Sequence, residues 1–206
     1  FWGQREVLEE AALDRGEAVV GATPVKVQPL QGQHAEVGVW SRFQLAQADV
    51  VWMRKDPPFN MDYIFSTYVL DHAETHTTVV NAPAGLRHMN EKMWAMQFPT
   101  LIPETLVTQD QGDIRAFAKS QETIVVKPLD GNGGEGVFVV RKDDPNIGVI
   151  TELSTQHGTR KVMAQRYLPE AAQGDKRIIL VNGEPVGAIN RVPTGVDHRG
   201  NMHAGA

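Results

Sequence analysis

Gly131, Gly133 and Gly136 form a G-x-G-x-x-G pattern directly after Lys127-Pro128-Leu129-Asp130. Such a pattern can serve phosphates in several ways, and the residues that follow it separate them. A dinucleotide fingerprint needs a helix after the glycines, so that the helix N-terminus meets the pyrophosphate. Here Val137-Phe138-Val139-Val140 follows, and these residues favour a strand. A Walker A loop ends in Gly-Lys-Ser/Thr, which is absent. What remains is a glycine hairpin between two strands, a flap whose backbone N–H groups can approach phosphates closely. Protein kinases use such a flap too, but their lysine lies on a later strand. In this chain Lys127 lies on the strand that enters the flap. The turn by itself fits a plain β-hairpin with a flexible tip equally well. Lys127 adds weight to the first reading, because it ends the apolar run Ile124-Val125-Val126. A lysine buried in a strand needs an anionic partner, and a nucleotide phosphate is one candidate.

These residues need a scaffold, and the pattern predicts an α/β one. Val50-Val51-Trp52-Met53 reads as a buried strand, stopped by Pro57-Pro58. Asn60 can cap a helix over 61–74. Thr78-Val79-Val80 is a second strand, and a helix over 85–97 contains Asn90-Glu91-Lys92. Strand, helix, strand, helix is the order of a parallel α/β unit. Upstream, Val7, Leu8, Ala11 and Ala12 suggest a helix over 4–15 with Gly16 as its C-cap, and residues 17–48 are less regular. Beyond Pro99 the pattern predicts strands at 103–108, 123–128, 137–140 and 161–165, and helices over 111–120 and 146–156. Asn182-Gly183 lies between two apolar runs and signals a hairpin. A boundary near residue 90 separates the parallel unit from an antiparallel α+β unit.

Composition narrows the class. The 206 residues include no cysteine, which excludes thiol catalysis, a zinc ribbon and a disulfide framework. A net charge of −5 does not suit a nucleic-acid or anionic-membrane surface. No apolar run is long enough to span a bilayer. The seven histidines show no metal-ligand spacing, and His198 and His203 read as solvent-facing. Both ends, from Phe1-Trp2-Gly3 to Ala204-Gly205-Ala206, read as the interior of a longer chain.

With Lys92, Lys127, the glycine turn and Met163-Ala164-Gln165-Arg166-Tyr167-Leu168-Pro169 in order, the chain resembles the ATP-grasp superfamily. More closely, it resembles bacterial-type glutathione synthetase. The segments that carry the likeness are Met53-Arg54-Lys55-Asp56-Pro57-Pro58-Phe59, Asn90-Glu91-Lys92, Pro103 to Thr108 and Lys127 to Gly134. They continue in His157-Gly158-Thr159-Arg160, Gly174-Asp175-Lys176-Arg177 and Arg199-Gly200-Asn201. The resemblance runs from residue 48 onward, and residues 1–47 match poorly.

The resemblance implies an α/β ATP-grasp fold, incomplete at both ends. It implies a substrate domain over 1–89, a lid subdomain with the flap over 90–168, and the start of a central subdomain over 169–206. It implies that ATP phosphorylates the carboxylate of γ-glutamylcysteine and that the glycine amine then displaces phosphate. Lys92 and Lys127 would contact ATP phosphates, and Gly131, Gly133 and Gly134 would let the flap close. Gln165, Tyr167 and Leu168 would form an edge strand and hinge facing adenine, and Asp175 would contact ribose. Arg54, Arg177, Arg191 and Arg199 would hold the dipeptide carboxylates, since arginine's planar fork suits them. Arg191 and Arg199 would also act at the catalytic step. Mg2+ would be a cofactor with its Glu and Asn ligands beyond residue 206, none in this chain. A cytoplasmic homo-oligomer is implied as well. Blander readings stand beside these: a solvated helix position for Lys92, turn chemistry for Asp175, surface ion pairs for the arginines. Two other functions also stay open, another ATP-grasp ligase or a non-catalytic nucleotide-binding remnant.

Overall fold

The computed structural model describes residues 11–29, 31–32, 34–55 and 58–193. The chain divides into two compact units, Phe1–Trp94 and Ala95–Ala206.

In the first unit, β1 (Ala12–Asp14) and β2 (Glu17–Ala22) form a hairpin, and β5 (Ser41–Gln44) pairs with the other edge of β2. The helix expected over 4–15 is therefore corrected at its described end. Arg15 and Gly16 both take positive φ, 51° and 88°, which is the two-residue turn that matches strand twist. Gly16 closes a hairpin instead of a helix. A second hairpin joins β3 (Val25–Val27) to β4 (Ala35–Val37).

The parallel unit follows. β6 (Val50–Trp52) pairs in parallel with β7 (Thr78–Val80), and α1 (Met61–Ala73) connects them. Asn60 starts α1 by accepting the Tyr63 N–H at 3.0 Å. Tyr63, Leu70 and Ala73 face inward and meet Val20, Met53 and Val79 in the core. β6 itself is not buried as expected: Val50 is 45% and Trp52 66% exposed, while Met53, just past its end, is 3% exposed. Among the described residues its sheet has two strands, which cover fewer side chains than the apolar run suggests. The helix expected over 85–97 is also corrected. α2 (Pro83–His88) is a short helix, and Trp94–Gln97 is a separate 3-10 turn. Between them Asn90 accepts the N–H groups of Lys92 and Met93 at 3.1 and 2.9 Å. A short amide side chain that satisfies nearby N–H groups competes with helix continuation.

In the second unit, β8 (Thr105–Thr108), β9 (Thr123–Pro128), β10 (Phe138–Arg141) and β11 (Val162–Arg166) form an antiparallel sheet in the order β10-β9-β11-β8. Two helices, α3 (Gln111–Gln121) and α4 (Ile147–Ser154), accompany it. Asp110 caps α3 through the Asp113 N–H at 2.9 Å. Ile114 and Ala118, one turn apart on α3, pack with Ile124, Val126, Val140, Val162 and Ala164. Side chains alternate along a strand. The even-numbered positions of β9 and β11 thus face the helices, and Val125, Lys127, Met163 and Gln165 occupy the other face. Beyond Leu168, a 3-10 turn (Pro169–Gln173) leads to a hairpin of β12 (Asp175–Val181) and β13 (Glu184–Arg191). Asn182 and Gly183 turn it at φ 51° and 84°, as expected for Asn-Gly.

Strand β11 is tied to the approach to β8 by an exposed ion pair, Arg166 Nε to Glu104 Oε2 at 2.5 Å. The hydrogen bond from Arg166 is the main cause that holds the Glu104 carboxyl below the usual glutamate range. A lowered folded pKa makes the pair's contribution complete above the ordinary glutamate value, and that contribution is lost as pH falls through the lowered one. We expect the Glu104 carboxyl to titrate by NMR below a free glutamate and to move back toward it in Arg166→Ala. An identical midpoint in both would remove the pair. For the core, Ile124→Ala deletes a fully buried side chain and should cost about 2–5 kcal/mol in urea unfolding. A cost below about 1 kcal/mol would contradict the packing described.

Candidate functional site

The site is centred on the end of β9 and the turn that follows. The β9–β11 register pairs Lys127 with Met163 and Val125 with Gln165. Lys127 and Gln165 are therefore diagonal neighbours on the face opposite the helices, within reach of long side chains. The Lys127 ammonium donates to the Gln165 side-chain oxygen. Gln165 Nε2 donates in turn to Thr105 Oγ1 at 2.8 Å, and Thr105 Oγ1 donates to the Pro103 carbonyl at 2.7 Å. A polar chain thus crosses β9, β11 and β8. It holds a half-buried cation on the sheet face, on the strand that leads into the glycine turn.

The turn needs its glycines for separate reasons. Gly133, Gly134 and Gly136 take φ of 62°, 81° and 68°, conformations that L side chains resist. Gly131 is required by space: a Cβ there would lie 2.7 Å from Pro128 Cγ. The Glu135 N–H donates to the Asn132 carbonyl at 3.1 Å and tightens the turn. Glu135 itself is exposed. At the root of the turn Asp130 forms an ion pair with Arg160. Arg160 stands in the loop between α4 and β11 and closes the segment His157-Gly158-Thr159-Arg160, with no role evident from residue type alone.

The remaining expected residues divide by place. Gln165 is not on an edge strand, because β11 has β9 on one side and β8 on the other. The antiparallel register of three strands, which composition does not encode, sets that position. Tyr167 stays tied to the sheet, its N–H donating to the Thr123 carbonyl at 3.0 Å. Leu168 follows it into the 3-10 turn. Asp175 and Arg191 sit opposite each other in the hairpin, with Arg191 Nε donating to Asp175 Oδ1 at 2.6 Å. The two residues expected to serve ribose and dipeptide separately thus form one pair. Arg177, two residues along β12 from Asp175, is exposed on the same face. Arg199 lies outside the described residues.

Lys92 and Arg54 belong to the first unit. Lys92 is neither helical nor solvated: its side chain is 16% exposed, and Nζ is 2.7 Å from Glu91 Oε1. Arg54 is exposed, two residues past the C-terminal end of β6, at the strand end where ligands of parallel sheets bind. Among the described residues no group of three His, Asp or Glu side chains is placed to hold a metal ion. None of the described helices is long and apolar enough to cross a membrane.

Comparison with known proteins bears on both units. The family model of the prokaryotic glutathione synthetase ATP-grasp domain matches residues 91–206. The model of the prokaryotic glutathione synthetase N-terminal domain matches residues 7–87. That second match corrects the expectation that residues 1–47 match poorly. Glutathione synthetase of Thermosynechococcus vestitus is 47% identical over 208 residues, covering 96% of this chain and 65% of that protein. The chain thus spans slightly under two thirds of that relative's length. Among solved structures, a D-cycloserine synthetase superposes with a TM-score of 0.61 at 13% identity, covering 73% of this chain and 54% of the other. An ATP-grasp RimK domain protein from Sphaerobacter thermophilus gives 0.55 at 22% identity, covering 71% and 56%. These two likenesses are of fold alone. Matched through both units by the models and along 96% of its length by a relative, the chain belongs to the prokaryotic glutathione synthetase family.

Proposed function

We propose that this chain carries the nucleotide and dipeptide sites of a glutathione synthetase, which joins γ-glutamylcysteine to glycine at the expense of ATP. The observation that carries the reading is the Lys127 ammonium, held on a sheet face at the entrance of a glycine turn. A fixed cation beside a glycine-rich backbone turn suits phosphate oxygens.

The chemistry asks for positioning and charge neutralisation more than covalent help. A carboxylate must meet a γ-phosphate, and both are anionic. Lys127 and Lys92 offset that crowding. Gly131, Gly133 and Gly134 bring backbone donors to the phosphates, and the flap excludes water from the acyl phosphate. Tyr167 and Leu168 offer backbone groups and apolar surface to adenine. Gln165 holds Lys127 in place. Asp175 serves ribose, and its pairing with Arg191 fixes its orientation. Arg54, Arg177, Arg191 and Arg199 receive the substrate carboxylates, with Arg191 and Arg199 nearest the transferred group. Mg2+ is the cofactor that the family reading adds, with its Glu and Asn ligands expected beyond residue 206, and no step here is assigned to it. We read 1–89 as the substrate domain, 90–168 as the lid subdomain and 169–206 as the start of the central subdomain. The working protein is a cytoplasmic homo-oligomer acting on small molecules, with no nucleic-acid or membrane partner.

Calorimetry tests the nucleotide site. Lys127→Ala should weaken ATP binding by more than about tenfold, or about 1.4 kcal/mol, and unchanged affinity would end this reading. Arg54→Ala should weaken γ-glutamylcysteine binding and leave ATP binding as it is. Equal loss of both would point to damaged folding and remove the Arg54 assignment. For the reaction, ATP-dependent phosphate release should require γ-glutamylcysteine and glycine together. Release with other amino-acid pairs and none with these would overturn the substrate assignment.

A further inference from the structure

The glycine turn brings a carboxylate to the place where an anion is to bind. Asp130 immediately precedes Gly131. Left alone, its charge would repel phosphate at short range, where screening by salt is weak. Arg160 donates to its carboxylate, and the side chains are 34% and 35% exposed. The ladder explains how they meet. Val162 pairs with Pro128, so in an antiparallel register two residues further on bring position 160 opposite position 130. The pair prolongs the β9–β11 ladder by side-chain contact, past its last backbone pairing. Arg160 is held from below, its N–H donating to the Thr155 carbonyl at 2.8 Å. Thr155 is buried, and its hydroxyl donates to the Thr151 carbonyl at 2.6 Å. The cation therefore stands on a packed support.

We propose that Arg160 is a positioning residue for the glycine turn: it holds the turn's root, and it cancels the Asp130 charge so that the turn accepts phosphate. This rests on the nucleotide reading above, and the two can fail separately.

The test compares Arg160→Ala, Arg160→Lys, Asp130→Asn and the double variant Arg160→Ala/Asp130→Asn. Each is read by ATP calorimetry and by amide hydrogen exchange in the free chain. Arg160→Ala should weaken ATP binding about fivefold or more and speed exchange at residues 131–136, with exchange in β11 unchanged as the check on folding. Arg160→Lys keeps the charge and should keep most of the affinity. Asp130→Asn alone should bind ATP as well as the unaltered chain. The double variant should exchange fast at the turn yet recover affinity to within about twofold of Asp130→Asn. Recovery is what a purely structural role would not give. If the double variant stays as weak as Arg160→Ala, Arg160 contacts phosphate itself and the proposal falls. It falls too if Arg160→Ala binds like the unaltered chain, or if Asp130→Asn alone loses affinity. If Arg160→Ala does not fold, Arg160→Lys and Asp130→Asn still decide. Should the unaltered chain bind no ATP, the nucleotide reading fails. Exchange at 131–136 then decides for Arg160: faster in Arg160→Ala upholds its hold on the turn, and equal rates end it.

Discussion

The antiparallel pairing of β9 with β11 is the constraint on which the site depends. Its register sets Lys127 against Met163, and everything else follows by counting. Two residues along, Gln165 falls diagonal to Lys127 and accepts a hydrogen bond from it. In the other direction, Arg160 comes opposite Asp130 at the root of the glycine turn. A slip by one residue would turn Lys127 toward Ile114 and Ala118 and expose Val126. The fully buried Ile124, Val126, Val162 and Ala164 therefore do more than stabilise the sheet. They are the reason that the cation occupies the face away from the helices.

Burial and charge are balanced locally along that face. A half-buried ammonium is tolerable when its N–H groups are satisfied and its charge is either solvated or met by an anion. Gln165 supplies an oxygen without supplying charge. It can do so because its own amide is satisfied by Thr105. A neutral partner orients the cation without placing an opposing charge at that position. At the root of the turn the partner is charged instead: the Asp130 carboxylate is met by Arg160.

Some of this was legible in residue types. The strand Thr123–Pro128, the turn and the following strand announce themselves by β-branched residues on either side of glycines. Asn182-Gly183 and the Asn60 cap are equally direct, because one short-range interaction decides each. The errors share a cause. Ala12–Asp14 carries a helical-looking stripe, but Arg15-Gly16 closes a hairpin whose partner strand decides the outcome. Residues 85–97 have helical composition, but Asn90 diverts two N–H groups. Val50–Trp52 is apolar enough for a buried strand, yet exposure depends on what covers it.

The site shows the same division more sharply. Lys127 and its glycines are contiguous with the strand that holds them, so spacing alone groups them. Arg160 lies 30 residues from Asp130, and Asp175 and Arg191 are joined only across a hairpin. Such pairs follow from register, which the turn and the buried face set together. The signal for Arg160 was available in principle. An aspartate just past one strand and an arginine just before its antiparallel neighbour meet if those strands pair. Pairing was the missing premise: β9 could have taken β8 as its neighbour, the strand before it in the chain. β11 inserts between β9 and β8, and that order brings Arg160 to the turn and gives Lys127 its amide partner.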